Sequence, residues 1–339
     1  MTSILHKAIE DFSRGTELLA AEAEALLDAL ISETDESLIA KLLAAWHRKG
    51  IEANEIYEVA RIMRDRMTRV SSRHETTVDI VGTGGSSAKT FNVSTASSFV
   101  VSGAGVAIAK HGNKAATSNS GSADVLSELG INPAVDPRTA ESCLNELGIC
   151  FMFAPNYHRL SPTLAKVRRG LGFPTIFNCV GPLCNPASAT HQLIGVWDDS
   201  LVPKMAKAIL RLGTRRTWVV HGVKGLDEIA IDGKTSVADI DSEIRTFNID
   251  PEDFGLEKYR SDDLRSNDPA HSAVMIRNVL LGRPHHRAAE CIVVLNAAAA
   301  LFIAGVAGDP EEAAMLANES LRSGKARLRL EELAAAAPV

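Results

Sequence analysis

Three clusters of residues in this 339-residue chain have the types and spacing for chemistry. The first is Gly82-Thr83-Gly84-Gly85-Ser86-Ser87, after a β-type run and before a helical one. Glycines there let the backbone take positive φ and approach a ligand closely. Asn92, Ser94 and Thr95 follow, offering hydroxyls and the free N–H groups of a helix N-terminus, a ready anion site. A tight strand–helix turn with an N-cap would read the same way. The second cluster is Lys110-His111-Gly112-Asn113-Lys114, directly after the run Val106 to Ala109, with Thr117-Ser118-Asn119-Ser120-Gly121-Ser122 beyond it. Open α/β sheets bind ligands at the ends of parallel strands. Two lysines, a histidine and an amide beside small hydroxyl residues suit a multiply charged phosphate. The third is Asp227-Glu228, after Gly225. On a strand these carboxylates would face opposite ways. In a turn both can reach one pocket, where hard oxygens and waters suit Mg²⁺. Taken alone, such a pair is as a rule a solvated turn.

Two familiar phosphate loops are excluded. No GxxxxGK[ST] is present, and a dinucleotide fingerprint would need Gly at position 87, where Ser87 stands.

Elements must position these groups. Residues 4 to 70 read as short amphipathic helices, with apolar faces such as Leu5, Ala8, Ile9 and Phe12 or Ile56, Val59, Ile62 and Met63. Gly15-Thr16, Thr34-Asp35 and Gly50 punctuate them. Helices this short need a partner to pack on. Strands are expected at Thr77 to Val81, Val106 to Ala109, Ile149 to Phe153, Trp218 to Val220 and Ile229 to Ile231. Helical stretches lie between them at Ser94 to Val101, Ala123 to Leu129 and Pro137 to Leu147. That alternation predicts a mostly parallel sheet with covered faces. The chain ends in helix over Ala289 to Ala304 and Glu311 to Ala336, with the last residues expected to fray. His285-His286, after Gly282 and Pro284, reads as a solvated loop.

Composition narrows the function classes. Thirty-six Lys and Arg against 42 Asp and Glu give a net charge of -6, and aromatics are 5%. Nucleic-acid and anionic-membrane binders normally carry a basic excess, and base-stacking platforms carry more aromatics. No nucleic-acid or membrane partner is therefore expected. No secretory signal is read at the N-terminus. Five cysteines without a CxxC pair argue against structural zinc and disulfides, and a cytoplasmic location is expected.

The sequence resembles the anthranilate phosphoribosyltransferases. The resemblance is carried by Gly82-Thr83-Gly84-Gly85, Thr90-Phe91-Asn92-Val93-Ser94-Thr95, Lys110-His111-Gly112-Asn113 and Ser120-Gly121-Ser122-Ala123-Asp124. It continues through Phe153-Ala154-Pro155, Tyr157-His158, Val167-Arg168-Arg169, Asn185-Pro186, Gln192-Leu193-Ile194-Gly195-Val196, Gly225-Leu226-Asp227-Glu228 and Leu295-Asn296-Ala297. It implies an α/β fold: a small helical domain, 1-72 joined by part of 160-190, plus a larger α/β domain, 73-339, with a mostly parallel central sheet. It also implies a homodimer that transfers phosphoribosyl from 5-phosphoribosyl 1-pyrophosphate (PRPP) to anthranilate, with two Mg²⁺ per subunit. On this resemblance PRPP would be held by Gly82, Gly84, Gly85, Ser86, Thr90, Asn92, Val93, Ser94, Thr95, Lys110, Gly112, Asn113, Lys114, Thr117, Ser118 and Ser122. Anthranilate would meet Gly82, Asn113, His158 and Arg168, and magnesium would meet Ser94, Asp227 and Glu228. Lys110 would neutralise the leaving pyrophosphate, and His111 is the candidate proton acceptor. Judged alone, Arg168 reads as a solvated helix face and His158 as a packed turn histidine.

Several positions depart from the family pattern. Ser86 stands where Asp is common, Lys114 where Arg is usual and Asn119 where Lys is common. Arg159-Leu160-Ser161 and Gly172-Phe173-Pro174-Thr175 also differ. Transfer to another aromatic amine is one alternative reading. A pyrimidine nucleoside phosphorylase-like activity is another, although the Leu-Gly-His-Thr-Gly-Gly type of loop is missing. A nucleic-acid-binding relative would want a basic groove.

Overall fold

The computed structural model describes residues 3–86, 88, 90–114, 120–266, 268–282 and 287–339. Thr117, Ser118, Asn119, His285 and His286 lie outside the described residues.

Four helices open the chain: α1 (Ile4–Ser13), α2 (Ala20–Ser32), α3 (Glu36–Lys49) and α4 (Ala53–Arg66). Side chains start two of them: Ser3 Oγ caps α1, and Asp35 caps α3 through the Ser37 and Leu38 amides. A buried carboxylate ties α3 and α4 to the linker between α1 and α2. Glu55 on α4 accepts from the Leu18 amide (2.9 Å), Trp46 Nε1 (3.0 Å), Lys49 Nζ (3.0 Å) and the Glu52 amide (3.0 Å).

The sheet follows as β1 (Thr77–Gly82), α5 (Val93–Gly103), β2 (Ala107–Gly112), α6 (Ser122–Glu128), α7 (Pro137–Leu147) and β3 (Ile149–Phe153). The short α8 (Ala154–Tyr157), α9 (Pro162–Gly170) and α10 (Ile176–Val180) precede β4 (His191–Gly195), α11 (Leu201–Leu212) and β5 (Arg216–Gly222). Then come β6 (Thr235–Ile240), β7 (Ile244–Ile249), α12 (Pro269–Leu280), α13 (Arg287–Ile303), α14 (Pro310–Arg322) and α15 (Lys325–Ala336). Strand order is β3-β2-β1-β4-β5-β6-β7. The pairs from β3 through β5 are parallel, and β6 and β7 add antiparallel at the end. This is the α/β class expected, with a mostly parallel sheet.

The two faces of the sheet are covered differently. One apolar cluster joins α5, α7, α12, α13 and the C-terminal helices to side chains of β1, β2 and β3. The other joins α1 to α4 with α9, α10, α11 and the opposite face, through Ile194, Val219 and Ala238. The opening helices thus find the partner their length requires. No helix among the described residues is long and apolar enough to cross a membrane.

Three expectations need correction. Ile229 to Ile231 is fully buried but forms no strand. Side chains take its backbone groups instead: Asn296 Oδ1 accepts the Ile229 amide at 3.0 Å and Thr235 Oγ1 the Ala230 amide at 2.9 Å. The run from Glu311 to Ala336 is two helices, broken at Gly324, whose φ is +77°. The C-terminus is not frayed. Ala337 is buried, its carbonyl accepts the Asn132 amide at 2.7 Å, and Pro338 bridges to Ile131.

Candidate active site

The strand order reverses between β1 and β4, and ligands of open α/β sheets sit at such a switch point beyond the strands' carboxyl ends. A cavity of about 400 Å³ opens there. Every described residue assigned a role from the sequence lines it: the glycine loop and Ser86, residues 90 and 92–95 at the start of α5, Lys110 to Lys114, Ser122, His158, Arg168, Asp227 and Glu228.

At one end, Asp227 and Glu228 sit in a turn after Gly225, whose φ is +75°. Asp227 is admitted by missing side chains. Gly82 and Gly195 are register partners in β1 and β4. A Cβ on Gly82 would stand 2.8 Å from Asp227 Oδ2, and one on Gly195 would stand 1.6 Å from Asp227 O. Burial pushes the Asp227 carboxyl up to about 6, against hydrogen bonds from its own amide and from Gly84, and against the nearby His221. Burial and the neighbouring Asp227 raise Glu228 well above the usual carboxylate range, against a bond from Thr90 Oγ1 at 3.1 Å. No lysine or arginine among the described residues pairs with either carboxylate. Two adjacent buried carboxylates without a cation are a donor set that a hard divalent ion fits. Among the described residues no cluster of three or more His, Cys, Asp or Glu side chains is present, so such an ion would keep ligands from waters or substrate.

Next to this pair the glycine loop and α5 open onto the cavity. Gly84 and Gly85 take φ of +65° and +89°, and Gly85 packs on Pro174 so closely that a Cβ would lie 2.8 Å from the proline ring. Ser86 turns its hydroxyl to Gly225 O (2.8 Å) and accepts the Ala88 amide (3.2 Å). Asn92 is the residue before the first turn of α5. Ser122, at the start of α6, and Asn113 are linked by a 3.3 Å hydrogen bond.

Lys110 is more deeply set than the sequence suggests. Its ammonium donates to Ile80 O at 2.6 Å, and burial lowers it to about 8 although Asp79 opposes the shift. Asp79 is itself pushed up to about 6 by burial. Asn185 Nδ2 holds it at 2.8 Å and also reaches Ala109 O at 2.7 Å. Neither Asp79 nor Asn185 was assigned a role from sequence.

At the other end His111 and His158 meet, Nε2 to Nε2, at 3.2 Å. Burial, then the neighbouring His158, lowers His111 to about 3, and burial lowers His158 to about 4. Both rings are neutral near pH 7. Arg168 projects from α9, its guanidinium 4.8 Å from the Phe177 ring centroid. Its Nε is buried without a partner, no carboxylate among the described residues pairs with it, and burial lowers it to about 10. Met63 of α4, Leu160, Ala165 and Phe177 supply apolar walls. Met63 was read only as part of a helix core, since its spacing belongs to the buried face of α4. Leu160 is one of the departures from the family pattern. Next to it Ser161 caps α9 through the Leu164 amide at 3.1 Å, so this divergent segment still starts the helix that carries Arg168.

The family described as "Glycosyl transferase family, a/b domain" matches residues 74–327. The anthranilate phosphoribosyltransferase of Xanthobacter autotrophicus is 42% identical over 95% of this chain and 93% of its own length. The anthranilate phosphoribosyltransferase of Saccharomyces cerevisiae, solved in complex with PRPP and Mg, superposes with a TM-score of 0.88 at 29% identity, covering 98% of this chain and 97% of its own. The same yeast enzyme in complex with 4-fluoroanthranilate gives 0.86 at 28% identity, with the same coverage.

Proposed function

This chain belongs to the anthranilate phosphoribosyltransferases, and from that premise we propose how its cavity works. It transfers the 5-phosphoribosyl group of PRPP to the amine of anthranilate, giving N-(5-phosphoribosyl)anthranilate and pyrophosphate, in tryptophan biosynthesis. One observation carries the assignment of ends: an arginine whose Nε is buried without a partner, set between apolar walls, shares a cavity with a cation-free carboxylate pair.

PRPP takes the glycine-loop end. Gly82, Gly84, Gly85, Gly112 and Val93 bring backbone close to it, while Ser86, Thr90, Asn92, Ser94, Thr95, Asn113 and Ser122 offer polar groups. Lys110 and Lys114 add positive charge, Lys110 from beneath the loop and Lys114 from the exposed rim. Thr117 and Ser118, in the same basic stretch, complete the set assigned to PRPP. Asp227 and Glu228, with Ser94, would hold Mg²⁺, two ions per subunit. When bound, Mg²⁺ supplies positive charge for the leaving pyrophosphate.

Anthranilate takes the other end. Arg168 pairs with its carboxylate in the bidentate way a guanidinium allows. Phe177, Met63 and Leu160 enclose the ring, and Asn113, His158 and Gly82 align the amine. The amine is neutral at pH 7 and already nucleophilic, so the protein contributes chiefly position and exclusion of water. As the C1–O bond to pyrophosphate breaks, nitrogen bonds to C1 and sheds a proton. His158 and His111, both neutral, are placed to take it. A weak base suffices, because a nitrogen bonded to both an aromatic ring and C1 is a strong acid while it carries the extra proton.

The helical domain of residues 1–72 with part of 160–190, and the α/β domain of 73–339, each bring walls to the cavity. Met63 and Arg168 come from the first and the phosphate loops from the second. A homodimer in the cytoplasm is the expected state, as the family resemblance implies, and the five buried free thiols suit a reducing compartment. Turnover with PRPP and Mg²⁺ across the aminobenzoate isomers tests the acceptor assignment. Anthranilate should be the preferred substrate; a different isomer turning over in its place would assign this end of the cavity to another aromatic amine.

A further inference from the structure

We propose that Ser272, on α12 and outside the cavity lining, is a positioning residue that fixes which edge of the Asn92 amide faces the phosphate groups. The proposal rests on PRPP occupying the glycine-loop end. Ser272 is fully buried. Its hydroxyl accepts the Asn92 backbone N–H at 2.9 Å and, having done so, donates its own proton to Asn92 Oδ1 at 2.7 Å. Ser120 Oγ donates to the same oxygen at 2.8 Å, and Asn92 Nδ2 reaches Ser120 O at 3.4 Å.

An amide oxygen has two lone pairs. Here two hydroxyl protons use both. The oxygen of Asn92 is thereby kept from any anion in the cavity, and the amide presents its N–H₂ edge. An unclamped asparagine would expose either edge, and the oxygen edge repels phosphate. Ser272 thus makes a neutral side chain selective for an anion without touching it.

The same segment braces the residues just before Asn92. Leu264 O accepts the Phe91 amide at 2.9 Å, and Thr90 bridges to Arg265. Thr90 in turn donates to Glu228. Leu264, Arg265 and Ser272 therefore hold both the amide and the hydroxyl that face PRPP, Ser272 from a position 180 residues along the chain from Asn92.

Ser272→Ala tests this in the full-length enzyme. The expected result is a rise of about tenfold in the KM for PRPP, with the anthranilate KM within twofold of the parent. The Kd of PRPP with Mg²⁺, read by titration calorimetry without the acceptor, should rise in parallel. A serine that only supports the fold would lower the melting temperature without that split. Ser272→Cys, close in size and a weak hydrogen-bond partner, gives the same readout if the alanine variant does not fold. An unchanged PRPP KM in a folded variant overturns the proposal, and so do equal rises for both substrates. A parent enzyme without PRPP-dependent turnover would instead refute the functional reading beneath it.

Discussion

Gly82 and Gly195 pair directly at the carboxyl ends of β1 and β4, and the space left by their two missing side chains is filled by Asp227. The carboxylate pair is thus seated at the switch point of the sheet, where parallel strands leave an open crevice. Gly82→Ala should displace the Asp227 carboxylate, since the new Cβ would stand 2.8 Å from Oδ2. The expected outcome is a rise of about tenfold or more in the Mg²⁺ concentration giving half-maximal rate. A parent-like Mg²⁺ titration would show that Asp227 does not serve the metal.

The carboxylates should cost stability when no cation is present. Burial raises both, so the folded state binds protons more tightly than the unfolded chain; for Asp227 that preference is lost as pH rises from its ordinary value of 3.8 through about 6, and the raised Glu228 adds a loss of the same sign. At pH 8 in metal-free buffer, Asp227→Asn with Glu228→Gln should therefore melt several degrees higher than the parent. The same double variant should lose turnover and Mg²⁺ dependence together. Undiminished activity would remove the metal role.

Arg168 has a buried Nε without a partner and pairs with no carboxylate among the described residues. Arg168→Ala should raise the anthranilate KM by about 10- to 100-fold, the range expected for a lost charge-assisted pair of about 1.5–3 kcal/mol. The PRPP KM should stay within a few-fold. The reverse split, read from steady-state kinetics with each substrate varied, would place the carboxylate elsewhere.

His111 and His158 are held at about 3 and 4 by burial. Neither should gain charge between pH 8 and pH 6, so kcat/KM for anthranilate should show no histidine-like fall over that range. A fall centred near 6.5 would mean that one ring titrates as an exposed histidine does.

The opening helices depend on Glu55, which collects two backbone amides, an indole and an ammonium in one buried place. Glu55→Ala leaves Lys49 buried without its partner and should cost about 3–5 kcal/mol. Urea unfolding measures it, and a loss below 1 kcal/mol would show that the network contributes little.

The glycine-loop end of the cavity was legible because its groups are local. Glycine loop, helix start and basic loop each fall within a few residues of a strand end, so short motifs name them. Asp227-Glu228 needed the resemblance, since nothing in its neighbourhood shows that distant glycines make room for it. Strand β7 has an exposed middle, Arg245 to Asn248, so it shows no apolar run to signal a strand. Strand β4 begins with buried His191 and Gln192, which hide it in the same way. Ile229 to Ile231 misled for the opposite reason: it is apolar enough for a strand, but Asn296 and Thr235 satisfy its backbone. Met63 and Ser272 could not be found from spacing, because a residue serving the cavity and one serving the core look alike on a helix face.

Joining the phosphoribosyl group to anthranilate's amine couples loss of pyrophosphate to loss of the free amine. Pyrophosphate release and anthranilate consumption, followed together in one reaction with PRPP and Mg²⁺, test it most directly. One pyrophosphate should be released for each anthranilate consumed, with N-(5-phosphoribosyl)anthranilate as the product and almost no release when the amine is omitted. Pyrophosphate released at the same rate without anthranilate, or anthranilate left unconsumed, would contradict it.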